Sequence, residues 1–132
     1  MKFTINEIKA EHQKVKSGAD FPKYIKAIKD LGVSYYIVSV EDGNVEYFDN
    51  ENQSVSTLGK DRAVRSISGG LNVEHFRTRL KLHQQGGTDY PTFCRDCADN
   101  GIYGWKMDLN KMTCAYFDQG GNEVLIEQIP AL

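Results

Sequence analysis

Sliding the chain by 69 positions lays Gly18 through Asp49 on Gly87 through Asp118 without a gap, and the coincidences fall where chains start or stop helices. Asp20, Pro22, Asp30 and Gly32 meet Asp89, Pro91, Asp99 and Gly101, and Tyr47-Phe48-Asp49 meets Tyr116-Phe117-Asp118. Tyr36, Val38 and Val40 match Trp105, Met107 and Leu109 in apolar character, Val55 matches Val124, and a two-residue gap brings His12-Gln13 onto His83-Gln84. Self-similarity of this kind restricts a chain to copies of one supersecondary unit, each with an apolar side that it cannot bury alone. One antiparallel sheet covered by helices buries both sides most simply. The expected class is therefore α+β with pseudo-twofold symmetry. An internal duplication within a single domain would give two helix-helix-three-strand halves, about 4–58 and 72–129, with a linker over 59–71.

Local signals predict the same elements. Thr4-Ile5-Asn6-Glu7 has capping-box spacing, and Ile5, Ile8 and Val15 follow at helical intervals, which predicts a first helix to about Lys16. Asp20 is placed as an N-cap with Pro22 in the first turn, Tyr24, Ile25 and Ile28 on one face, and Gly32 as the left-handed stop. From Ser34 to Phe48 the period becomes two, Asp42-Gly43 marks a hairpin, and a third strand is expected around Val55 and Thr57.

Composition then weighs against some classes, nucleic-acid binders among them. A charge of −2 cannot create the one-signed field that a general nucleic-acid binder sets against phosphate. Met1 through Glu7 lacks the apolar run of a signal peptide, and no later segment has the length of a membrane span, so a cytoplasmic protein is expected. Three cysteines in a chain large enough to fold by burial fit a reducing compartment without disulfides.

Cys94-Arg95-Asp96-Cys97 invites a redox reading, but the repeat puts Cys94, Cys97 and Cys114 at the positions of Ile25, Ile28 and Val45. All three are thus expected in the core. A zinc site would need four ligands in paired clusters, and neither metal nor cofactor is expected. His12, His75 and His83 are read as solvated residues on helices. Gly69-Gly70 and Gly120-Gly121 lack the residues that follow a phosphate loop and are read as turns. Tyr35 and Phe48 alternate onto the face opposite Tyr36 and Tyr47 and are candidates for exposure. Lys14, Lys16, Lys23, Lys26 and Lys29, like Arg77, Arg79 and Lys81, are interleaved with acids and read as solvated faces.

The polar turn Gln84-Gln85-Gly86-Gly87-Thr88 brings backbone donors, a carboxylate and a phenol close in sequence to His83. His83, Asp89, Tyr90 and Trp105 are the candidate binding residues, for a protein or a small-molecule ligand. A non-catalytic binding or regulatory module is the leading reading. The alternative is a small enzyme with His83 as base, Asp89 as orienter and Cys94 as nucleophile, and a homodimer through an exposed strand edge fits either.

The stretch from His83 to Cys94, with Gly32-Val33, Trp105, Met112-Thr113-Cys114, Gly121-Asn122-Glu123-Val124 and Glu127-Gln128-Ile129-Pro130, resembles a family of small bacterial and prophage-borne proteins of unknown function. Some of these are labelled phage envelope proteins. The resemblance runs from about Gly18 to Pro130 and implies no catalytic residue; the label implies a third reading, a phage structural component.

Overall fold

A computed structural model describes residues 3–15, 20–57 and 65–129. The elements are α1 (Ile5–His12), α2 (Phe21–Leu31), β1 (Tyr35–Ser39), β2 (Val45–Phe48), β3 (Ser54–Thr57), α3 (Val73–Gln84), α4 (Tyr90–Asp99), β4 (Gly104–Asp108), β5 (Thr113–Phe117) and β6 (Glu123–Gln128). The capping box forms, with Thr4 Oγ1 accepting from the Glu7 amide and the Glu7 carboxylate accepting from the Thr4 amide. α1 nevertheless ends at His12, short of the expected Lys16, which lies outside the described residues. Asp20 precedes α2 but makes no side-chain cap, whereas its counterpart Asp89 caps α4 by accepting from the Thr92 amide at 2.9 Å. The difference is one of backbone: Asp20 is already helical at φ −86°, ψ −8°, and Asp89 is extended, the geometry from which a cap side chain reaches its donor.

The six strands form one antiparallel sheet in the order β3-β2-β1-β4-β5-β6. At its centre Ile37 lies opposite Lys106, its own counterpart in the repeat, and Tyr35 and Ser39 lie opposite Asp108 and Gly104. The main-chain bonds beside this pair are reciprocal: Leu109 N donates to Ser34 O at 3.0 Å, and Val40 N to Tyr103 O at 2.9 Å. Asp49 Oδ1 accepts from the amides of Glu51 and Gln53, as Asp118 Oδ1 does from those of Gly120 and Asn122.

The left-handed backbone positions repeat as well. Gly32 and Gly101, Gly43 and Met112, and Asn52 and Gly121 all have positive φ, each pair 69 positions apart. Both helix stops work alike: Val33 N bonds Ile28 O past Gly32, and Ile102 N bonds Cys97 O past Gly101. Backbone geometry thus coincides in the two halves where side chains do not, since Met112 holds a conformation that its counterpart Gly43 adopts without steric penalty.

Side chains of one sheet face, Tyr36, Val38, Tyr47, Trp105, Cys114 and Tyr116, form a single core with Ile8 of α1, Ile25 and Ile28 of α2, Phe76 and Leu80 of α3, and Phe93 and Cys97 of α4. The helices therefore cover one face. On the opposite face Tyr35 and Phe48 stack at 4.4 Å and Lys106 Nζ sits 4.5 Å above the Tyr35 ring. Phe117 lies over Gly104, where a Cβ would come within 2.9 Å of its ring. The expected separation of Tyr35 and Phe48 from Tyr36 and Tyr47 is what strand alternation produces.

Gly101 is a tight helix stop, because a Cβ there would approach the Leu71 main chain to 3.0 Å while the residue holds φ +84°. Gly101→Ala should lower unfolding free energy by about 1–3 kcal/mol in urea titration. Gly69→Ala, at a position with nothing within 4 Å, should stay within about 0.5 kcal/mol of wild type.

Candidate functional site

The expected corner is formed, but it is packed. The His83 ring stacks on Phe93 at 4.4 Å and 13°, Phe93 meets Trp105 at 5.5 Å, and Tyr90 meets Trp105 edge-on at 6.4 Å. Phe93 is thus the link that joins three of the four candidate residues, and Trp105 is only 6% exposed. His83 Nδ1 lies 3.0 Å from Thr88 Oγ1 and 3.2 Å from Thr88 O, which ties the end of α3 to the turn before α4. Asp89 stands apart from this cluster. It is exposed, its carboxylate caps α4, and the hydrogen bonds from Thr92 hold it below the usual carboxylate range. The hydrogen-bond partner of His83 Nδ1 is Thr88, not Asp89.

His12 and His83 are part-buried, unlike the solvated residues expected, whereas His75 is exposed as expected and still has a side-chain partner. His75 Nδ1 lies 2.8 Å from Asn100 Oδ1, and His12 meets the Tyr24 ring edge-on at 5.3 Å. Burial lowers the His83 pKa from its ordinary value near 6.5, outweighing the opposing pull of Thr88, Asp96 and Asp89. A ring pressed against Phe93 loses more hydration as a cation than as a neutral imidazole.

All three cysteines are buried thiols outside any disulfide, in the core positions that their aliphatic counterparts predict. Burial pushes the Cys97 thiol well above its ordinary range and the Cys114 thiol up to about 12. Cys94 is 2% exposed and interacts with the Tyr90 side chain. Burial therefore gives the nucleophile assignment for Cys94 no support, because an attacking thiolate needs access to its substrate.

A second feature was not foreseen from the sequence. Between α3 and β6 lies a cleft of about 370 Å³, lined by Arg77, Thr78, Leu80, Lys81, Gln84, Leu125 and Glu127. The strand side of this cleft is made by a β-bulge. In the first half Tyr47 faces Val55 and Phe48 faces Ser54, whereas in the second Phe117 faces Glu123 but Tyr116 faces Leu125, so Val124 is the extra residue. The slip by one reverses the alternation, turning Leu125 and Glu127 toward α3 and leaving Ile126 58% exposed. The consecutive apolar residues Val124-Leu125-Ile126 are the trace of this bulge in the sequence, since an unbroken strand with one wet face alternates.

Gln84 Nε2 donates to Glu127 Oε1 at 3.1 Å and closes one end of the cleft. Arg77 and Lys81, one helical turn apart and exposed, make no ion pair among the described residues. Leu80, buried below them, and Leu125 form the apolar floor. Among the described residues no group of three His, Cys, Asp or Glu side chains is placed to hold a metal ion, and no helix is long and apolar enough to cross a membrane.

A model of the family described as protein of unknown function, DUF1398, matches residues 9–128. The chain belongs to DUF1398. No curated protein matches it. The DUF1398 match spans both halves of the sheet, so the packed corner and the cleft both lie inside what defines the family.

Two measurements check this description of the DUF1398 fold. The native protein should react slowly with a thiol reagent, and all three cysteines should become reactive once it is unfolded. Because the folded pKa of His83 is depressed, its contribution to stability is fully present above the unfolded value near 6.5 and is lost as pH falls toward the folded one. Stability measured by denaturant titration should fall through that window more steeply in wild type than in His83→Gln.

Proposed function

We propose that this DUF1398 member is a non-catalytic binding module, cytoplasmic and of bacterial or prophage origin, built by duplication of one helix-helix-three-strand unit. The repeated register at Ile37 and Lys106 and the three repeated left-handed positions support the duplication. The α3–β6 cleft carries the binding reading. Its volume lies within the range of small-ligand pockets, Leu80 and Leu125 form its floor, and its polar groups include Gln84 and Glu127, which meet at one end. Unlike the corner at Trp105, it is not filled by the protein's own side chains.

In this reading His83, Asp89, Tyr90 and Trp105 support the cleft wall rather than line it. His83 adjoins Gln84 and anchors the end of α3 through Thr88, and Asp89 anchors the start of α4. The test is occlusion. Leu125→Trp fills the floor from a strand position that favours aromatic residues, so the fold should survive. Small molecules that raise the melting temperature of wild type in a library screen should bind the variant at least about tenfold more weakly. Equal binding to both proteins would place the ligand elsewhere and end this reading.

A further inference from the structure

Resting on the cleft reading, the arrangement of charge along α3 and β6 points to a ligand class: we propose that the cleft takes an elongated zwitterion, anionic at one end, ammonium-bearing at the other and apolar between. Arg77, Lys81 and Gln84 occupy positions i, i+4 and i+7 of α3 and form one stripe along the cleft. From Arg77 to Gln84 the helix rises about 10 Å. Arg77 stands at the start of that stripe and Lys81 at its middle, and the single carboxylate, Glu127, is fixed at its end by Gln84. Leu80 and Leu125 lie between.

Each part of the ligand follows from a group that the protein leaves unsatisfied. Arg77 and Lys81 offer donors to a carboxylate or phosphate, and charge-assisted bonds of this kind are the strong ones. Glu127 Oε1 is taken by Gln84, while among the described residues Oε2 accepts no hydrogen bond and remains for an ammonium group. A second anion at that end would meet Glu127 and be repelled, which sets the direction in which the ligand lies. The bulge supplies the independent observation. Among the described residues it is where the strand register of the second half shifts from that of the first, and its effect is to turn Leu125 and Glu127 toward α3. Bulges recur where a strand must re-aim a functional side chain.

The test uses the full chain, labelled with nitrogen-15, and four probes of similar length: 8-aminooctanoate, octanoate, octylammonium and octanol. The zwitterion should shift the amide signals of Thr78, Lys81, Gln84 and Leu125 saturably and bind about tenfold more tightly than either singly charged probe. Arg77→Gln with Lys81→Gln should remove the advantage over octylammonium, and Glu127→Gln the advantage over octanoate. These variants keep side-chain size near wild type, and an unchanged spectrum away from the cleft verifies the fold. If octanoate or octanol shifts the same signals as tightly as the zwitterion, the ligand class is wrong and the cleft reading stands. If none of the four moves those signals up to about 10 mM, a Kd weaker than about −3 kcal/mol of binding, both fall.

Discussion

Ile37 of β1 lies opposite Lys106 of β4, and the position of every other strand follows from this pairing. Each half contributes a three-stranded antiparallel unit with one apolar side, and an isolated unit would leave that side and an unpaired edge in water. Joining the two through β1 and β4 removes both inner edges and makes one continuous surface for four helices to cover. A slip of one residue in this register would send Tyr36, Val38 and Trp105 to the wrong face and dismantle the core, so burial itself enforces the register.

What the halves share is backbone, and what separates them is side-chain chemistry. The turns at Asp49 and Asp118 and the helix stops at Gly32 and Gly101 are closely alike, while Cys94, Cys97 and Cys114 stand where the first half has Ile25, Ile28 and Val45. Exchanging an aliphatic residue for a thiol within a packed core keeps the site apolar, so those changes carry no chemistry of their own. The bulge in β6 is different in kind. It changes which residues face the helices and opens a cleft, so the two ends of a nearly symmetric molecule present different surfaces.

The limits of reading from sequence follow the same division. The cysteines were legible as core because periodicity and the repeat both report burial. His83 was misread as solvated because its environment is set by Phe93 and Thr88, the first ten positions away and reached only when α4 folds back on α3. The candidate set of His83, Asp89, Tyr90 and Trp105 was drawn from closeness in sequence to a polar turn. Packing brings three of them together through Phe93 but fills the space between them and leaves Asp89 capping its helix. The cleft was missed because its walls come from segments more than forty positions apart, and Arg77 and Lys81 look like any other cations on a wet helix.

Local rules acting over a few residues were therefore decided by the sequence alone: the capping box at Thr4, the stops at Gly32 and Gly101, the alternation of Tyr35 and Tyr36, and through the repeat the α+β plan itself. Such features depend on backbone sterics and side-chain period, which neighbours in the chain suffice to specify. Tertiary structure alone decided which free charges share a cleft, which polar side chains are sealed against rings, and that Val124 bulges while Val55 does not. Those outcomes depend on distances between segments far apart in the chain, and such distances exist only once the sheet has closed at β1 and β4.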